Sequence, residues 1–260
     1  MNKWALITGA SQGIGCEFTK LFAADGYDLV LVARDVKRLD QVAEEIRSRH
    51  QVTVKVLPKD LASRTAAREI FDELQREKID ITVLINNAGF GFQGPFAELD
   101  LKTHDDLIQV NITTLVELTH LFLKPMLARR AGRILNVAST ASFQPGPFMA
   151  MYYASKAFVY SFTNALAGEL TGTGVTVTVL NPGITRSEFH SRAGLKRSAG
   201  FAMMDAAPVA RIGYRALMSG KPNITAGFLN KISSSIAKAL PTRLTTAIAG
   251  KLNQPVAPPH

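Results

Sequence analysis

Thr8-Gly9-Ala10-Ser11-Gln12-Gly13-Ile14-Gly15 follows directly on the apolar run Trp4–Thr8 and leads into a helical stretch from about Ile14 to Ala24. Three glycines in eight residues let the backbone turn tightly. They also leave room for a pyrophosphate to approach the free amides at a helix N-terminus. A glycine triplet alone says little. The strand before it and the helix after it give this one its weight, against the plain alternative of a βα turn that binds nothing.

Outward from that turn the chain alternates between two periodicities. Short apolar runs at Trp4–Thr8, Asp28–Ala33, Val52–Leu57, Thr82–Asn86, Arg133–Ala138 and Val175–Leu180 read as buried parallel strands. Between them, apolar residues three and four apart mark helices, as in Leu39/Val42/Ala43/Ile46, Ile70/Phe71/Leu74 and Leu115/Leu118/Phe122. Such alternation predicts an α/β fold in one domain, a doubly wound parallel sheet with helices on both faces. Past Gly183 the pattern loosens into a stretch from Thr185 to Gly200, a helix near Ala207–Met218 and a short strand near Asn223–Ala226. Residues 1–226 are therefore expected to form the catalytic domain, with a substrate lid at about 185–205. Residues 227–260 form a basic extension and tail.

Composition narrows the function classes. At 260 residues, with 47% hydrophobic and 20% charged, the chain can bury a core without staples. The single cysteine, Cys16, forms no internal disulfide, and no metal site is expected. No apolar run approaches the ~20 residues of a membrane span, and the N-terminus lacks a signal-peptide pattern, so a cytoplasmic protein is expected. The net charge of +9 is unevenly placed. Residues 1–185 hold 19 Lys and Arg against 19 Asp and Glu, and residues 186–260 hold 11 against two. No nucleic-acid module accompanies it, so no nucleic-acid partner is expected.

The nucleotide is read at the end of the second strand. An acid there would bind a ribose 2′-hydroxyl and favour NAD(H), whereas a guanidinium holds a 2′-phosphate. The chain reads Ala33-Arg34-Asp35, so Arg34 favours NADP(H), while Asp35 is the acid if the strand runs further. Chemistry is read at the C-terminal strand ends. Asn86-Asn87-Ala88-Gly89 ends the fourth strand and Ser139 the fifth, and thirteen residues on come Tyr152 and Lys156, four apart on one helical face. A phenol of ordinary pKa ~10 beside an ammonium and a positive nicotinamide ring shifts toward the phenolate, and can exchange a proton with a carbonyl or alcohol oxygen. Ser139 can hydrogen-bond the same oxygen. Tyr153 and Ser142 are the neighbours most easily confused with these groups.

Taken together, these pieces resemble a short-chain dehydrogenase/reductase over about Lys3 to Gly183, more loosely to Ala226. The matching pieces are the Thr8–Gly15 turn, Asp60-Leu61, Asn86–Gly89, Asn111, Ser139, Tyr152/Lys156 and Asn181-Pro182-Gly183. The resemblance implies a Rossmann fold and a proton relay. In it Tyr152 is the acid/base, Lys156 holds the nicotinamide ribose and lowers the tyrosine pKa, Ser139 polarises the substrate, and Asn111 fixes a water linking Lys156 to solvent. It further implies a cofactor held by Gly9, Ser11, Gln12, Gly13, Ile14 and Gly15, by Arg34, by Asp60 (at the adenine) and Leu61, and by Asn87, Ala88 and Gly89. Tyr152, Lys156, Pro182, Gly183 and Thr185 complete that set around the nicotinamide.

Substrate and partners are less sharply written. Phe189, Leu195, Phe201, Met203 and Met204, with Phe90, Phe92, Phe143, Phe148, Met149 and Met151, offer an apolar wall suited to a bulky carbonyl or acyl substrate. Arg186, Arg192, Lys196 and Arg197 could meet an anionic carrier such as that of an acyl thioester. Ile232/Ile236/Leu240 and Leu244/Ile248/Leu252, broken at Pro241 and interleaved with Lys231, Lys238, Arg243 and Lys251, predict two amphipathic helices. These are expected to dock on the protein or join a homodimer, with an anionic membrane surface as the alternative. The tail from Gln254 to His260 is expected to be disordered. The leading expectation is an NADP-dependent carbonyl reductase of the ketoacyl/hydroxysteroid branch. The competing ones are a silent nucleotide-binding regulator and a lipid-binding membrane-surface protein.

Overall fold

Strands β1 (Trp4–Thr8), β2 (Asp28–Ala33), β3 (Val54–Pro58), β4 (Ile81–Asn86), β5 (Gly132–Val137), β6 (Val175–Asn181) and β7 (Asn223–Thr225) are short and rich in Val, Ile and Leu. In the computed structural model, which describes residues 3–186 and 203–255, they pair in parallel in the order β3-β2-β1-β4-β5-β6-β7. The order reverses between β1 and β4, which opens a crevice at the C-terminal ends of those strands. Five of the six predicted long strands fall within one residue of their places. The third starts at Val54 rather than Val52: at Thr53 the carbonyl accepts from Leu29 N at 2.8 Å, but the amide turns to the Asp28 side chain, donating to its Oδ1 at 2.7 Å.

Helices cover both faces, as the alternation predicts. Helices α1 (Gly13–Ala24), α2 (Val36–Arg49) and α7 (Ala206–Met218) bury Phe18, Phe22, Leu39, Ile46, Val209 and Leu217 on one side. Helices α3 (Ala66–Arg76), α5 (Thr114–Ala128) and α6 (Ala150–Glu169) bury Ile70, Leu74, Leu118, Phe122 and Leu166 on the other. Each such side chain contributes about 1.5–3 kcal/mol when fully buried. Helix α4 (Leu101–Ile108) runs into α5 through a π-turn at Gln109–Thr113, a helical irregularity frequent at functional sites. Under the site a buried polar ladder joins sheet and helices. Asn86 Nδ2 donates to Thr119 Oγ1 at 3.0 Å and to Asn136 Oδ1 at 2.9 Å, and Asn136 Nδ2 donates to Thr163 Oγ1 at 3.0 Å.

The two predicted C-terminal helices are present as α8 (Phe228–Ala239) and α9 (Thr242–Asn253). Their orientation is set by small and polar residues. On α8 the buried residue is Ser234, and on α9 they are Thr245, Ala249 and Asn253, whereas Ile232, Ile236, Leu244, Ile248 and Leu252 are exposed. The small, polar stripe packs into the body, while the large apolar stripe stays exposed, in part along the cleft and in part to the outside. Close approach is the reason: a β-carbon added at Gly183 would collide with the Asn230 amide, so only a slim face fits there. The predicted disorder of the tail, for residues 256–260, lies outside the described residues, as do the lid residues Phe189, Arg192, Leu195, Lys196, Arg197 and Phe201.

Candidate active site

The glycine turn is shaped by what must pass it. Gly9 (φ 65°) and Gly13 (φ 56°) adopt the left-handed region, and a β-carbon on Gly9 would sit 2.8 Å from Asn87 Nδ2. A side chain at Gly15 would collide with the Gly9 carbonyl. Asn87 staples the turn to β4: its Nδ2 donates to Thr8 O at 2.9 Å, while Asn87 N and Ala88 N both donate to Thr8 Oγ1. Gln12, the N-cap of α1, makes no capping bond with its side chain. The first-turn amides of α1 therefore lack a side-chain acceptor and point at the cleft, where an anion is favoured.

At the end of β2 the structure separates Arg34 from Asp35. The strand stops at Ala33, and Asp35 caps α2 through Oδ1, which accepts from Arg38 N at 3.1 Å. Its carboxylate is thereby engaged, which argues against a ribose-binding acid. Arg34 lines the cleft rim, 4.0 Å from Asp60. Arg38, missed in the sequence reading, brings a second guanidinium to this end by donating to Gln12 Oε1 at 2.6 Å. Its only signal was a place four residues beyond Arg34.

Ser139, Tyr152 and Lys156 converge on the floor of the same cleft, a cavity of about 1050 Å³. Tyr152 is hydrogen-bonded to Ser139. Ser139 is held in turn by Ala141 N, which donates to its Oγ at 3.1 Å. Lys156 is 4% exposed and its Nζ donates to Val137 O at 2.9 Å. Asn111, wholly buried in the π-turn, accepts from Phe90 N at 3.1 Å and donates to Phe90 O at 2.9 Å and Ser155 Oγ at 3.0 Å. A β-carbon at Gly89 would lie 3.1 Å from both Asn111 Oδ1 and Lys156 Nζ, so the Asn87–Gly89 loop closes directly over them. Leu61 is buried, its carbonyl accepting from Thr114 Oγ1 at 2.8 Å, and Asp60 caps its own turn. Pro182, Gly183 and Thr185 line the far side.

Lys156 and the positive nicotinamide ring together were expected to draw Tyr152 toward the phenolate. In the protein alone, burial pushes the Tyr152 phenol up to about 12, while the hydrogen bond to Ser139 lowers it in part. Lys156, also buried and bonded to a neutral carbonyl, is itself held down to about 8. The ammonium stands 5.9 Å from the centre of the phenol ring.

The two confusable neighbours have partners of their own. Ser142 Oγ donates to Lys156 O at 2.8 Å and fastens the start of α6. Tyr153 turns to α9, its hydroxyl donating to Asn253 Oδ1 at 3.3 Å. Asn253 also donates to Pro147 O at 3.2 Å and accepts from Gln93 Nε2 through its carbonyl at 2.8 Å. This tie was missed in the sequence reading. Its trace is that the polar Asn253 falls on the stripe Thr245/Ala249/Asn253, opposite the apolar one.

The apolar wall is also rearranged. Phe90 and Met149 line the cleft, but Phe92 packs on Phe90 at 5.3 Å, and Phe143 lies against Tyr160 with Lys238 Nζ 4.2 Å above it. Phe148 faces a separate shallow groove, and Met151 does not line the cleft. Ile184, Ile236, Leu240, Ile248 and Leu252 take their places, so the C-terminal helices wall the cleft. Arg186 is paired with Asp205 at 3.1 Å, and Met204 with Thr185 in a short bridge. No helix among the described residues is long and apolar enough to cross a membrane.

This arrangement has close counterparts. The chain is 37% identical over 188 residues to a very-long-chain 3-oxoacyl-CoA reductase of Anas platyrhynchos, covering 70% of this chain and 59% of that protein. It is 37% identical over 187 residues to 17-beta-hydroxysteroid dehydrogenase type 3 of Mus musculus, covering 70% of this chain and 60% of that protein. The chain thus spans about six tenths of the length of these curated relatives. A solved short-chain dehydrogenase from Sphingobium yanoikuyae in complex with NADPH superposes with a TM-score of 0.82 at 30% identity, covering 92% of this chain and 96% of that one. The family model described as short chain dehydrogenase matches residues 3–198. With its parallel sheet, glycine turn and Ser139–Tyr152–Lys156 floor, this chain belongs to the short-chain dehydrogenase family.

Proposed function

We propose that the chain is an NADP(H)-dependent reductase that converts a bulky apolar ketone into a secondary alcohol. The observation that carries this reading is the convergence of Ser139, Tyr152 and Lys156 on one cleft floor, at whose other end lie the uncapped amides of α1. The residues fit a dinucleotide: Gly9, Gly13 and Gly89 line the cleft with bare backbone, and β-carbons at Gly9, Gly15 and Gly89 would crowd the turn and the loop that closes over it. Ser11, Gln12, Ile14, Asp60, Asn87 and Ala88 line the same cleft. Arg34, with Arg38 behind it, suits a 2′-phosphate, and the NADPH bound by the Sphingobium relative supports the same nucleotide.

When bound, the cofactor supplies hydride to the carbonyl carbon. This chain supplies the proton. Tyr152, kept protonated at neutral pH by burial, donates its O–H to the carbonyl oxygen, while Ser139 donates a second hydrogen bond that orients that oxygen. A protonated phenol is the form needed for reduction. Lys156 would hold the nicotinamide ribose, and its pKa of about 8 suits handing a proton back to Tyr152. Asn111 has its side chain committed to Phe90 and Ser155, so its contribution to a proton path falls to the π-turn backbone. Pro182, Gly183 and Thr185 would embrace the carboxamide.

The substrate end is walled by Met149, Ile184, Ile236, Leu240, Ile248 and Leu252, which favours a long or ring-shaped apolar body, ketoacyl thioesters and steroids included. NADPH oxidation across ketoacyl thioesters, ketosteroids and small ketones tests this. A preference in kcat/KM for the bulky classes is expected, and equal or better turnover of acetone-sized ketones overturns the substrate reading. Arg34→Ala is expected to weaken NADPH binding about tenfold while leaving NADH unchanged, one bidentate phosphate contact being worth about that much.

A further inference from the structure

Seven of the thirteen exposed large apolar side chains among the described residues lie on α8 and α9: Phe228, Leu229, Ile232, Ile236, Leu244, Ile248 and Leu252. Phe228 is 76% exposed and Leu229 67%, far beyond what scattered surface residues require. Beside them stand Lys231, Lys238, Arg243 and Lys251, all exposed. After Asp205 the chain has no acidic residue at all. Lys231, Arg243 and Lys251 form no ion pair among the described residues, and Lys238 rests on Phe143 and Tyr160.

We propose that this outward face of α8 and α9 is a docking surface for an anionic lipid bilayer. A helix whose large apolar residues point outward, edged by Lys and Arg, matches what lies in a headgroup layer: side chains enter the acyl boundary and cations meet phosphate and carboxylate. A second copy of the chain fits worse. A two-fold contact through this face would set cations against cations, with no carboxylate nearby to offset them. A homodimer would therefore use another face.

The docking has a consequence for the cleft. Ile236, Leu240, Ile248 and Leu252 belong both to the apolar stripes and to the cleft wall, so the mouth would open toward the lipid and an apolar substrate could enter without crossing water. This consequence rests on the reductase reading; the docking itself does not.

Sedimentation of the full chain with vesicles of phosphatidylcholine, with and without phosphatidylserine, tests it. Binding at least about tenfold stronger to the anionic vesicles, and weakened by salt, is expected. The Phe228→Ser/Leu229→Ser/Leu244→Ser variant should lose at least about tenfold in binding, and Lys231→Glu/Arg243→Glu should lose the preference for anionic vesicles. None of these five residues lines the cleft, so turnover of a soluble ketone should be unchanged in both variants, which also shows that they fold. Equal binding to both vesicle types, binding untouched by the substitutions, or a dimer that the triple variant splits would each overturn the proposal. Vesicle binding is read without turnover. A chain that binds vesicles but reduces no ketone would contradict only the reductase reading, and the converse would contradict only this one.

Discussion

Helices α2 and α8 both carry an apolar stripe, at i, i+3, i+4 and i+7 on α2 and at i, i+4 and i+8 on α8, with opposite results. On α2, Leu39, Val42, Ala43 and Ile46 are buried against the sheet, and the charged residues face solvent. On α8, the buried residue is Ser234, while Phe228, Ile232 and Ile236 stay exposed, and α9 repeats the reversal with Thr245, Ala249 and Asn253 inside. Periodicity names a stripe but not its direction. Direction is decided by the space each helix is given. α2 spans an open sheet face that large side chains must fill, whereas α8 lies so close to Gly183 that only slim residues fit.

The comparison can be broken by matched substitutions. Ile46→Ala should cost about 2–5 kcal/mol in denaturant unfolding, as for a buried isoleucine. A cost below about 1 kcal/mol would mean that α2 is not held by that stripe. Asn253→Ala is expected to cost less, about 1–3 kcal/mol, by leaving the Tyr153 hydroxyl and the Pro147 carbonyl short of partners. Its sharper effect should be a raised KM for bulky ketones with small ketones unaffected, and equal change for both would show that α9 does not wall the cleft. Ile232→Ala, the same chemical change as Ile46→Ala but on the outward stripe, should stay within about 0.5 kcal/mol.

A pH experiment probes the buried charge in the body. The folded pKa of Lys156, about 8, lies below its ordinary 10.5, so in that window the unfolded chain binds more protons and stability gained from this group rises with pH. Lys156→Met should lose activity and flatten that rise between pH 8 and 10. An unchanged slope of melting temperature against pH would show that Lys156 is not the titrating group.

Much of the body was legible because its signals are local. The Thr8–Gly15 turn needs glycine for backbone reasons that no distant contact alters, and Tyr152 and Lys156 share a face by helix geometry alone. What escaped depends on contacts far apart in sequence. The Tyr153–Asn253 bond joins residues a hundred positions apart, and Arg38 reaches Gln12 across 26. The upward shift of Tyr152 in the protein alone escaped for another reason: depth of burial is not written in the sequence. The direction of α8 and α9 depends on how near the backbone of Gly183 lies, and no periodicity records that.

The central claim, that Tyr152 delivers the proton in this cleft, is tested most directly by turnover of Tyr152→Phe alongside its NADPH affinity. Loss of about 10²–10⁴-fold in kcat with NADPH binding unchanged is predicted. Near-normal turnover of that variant would contradict the account.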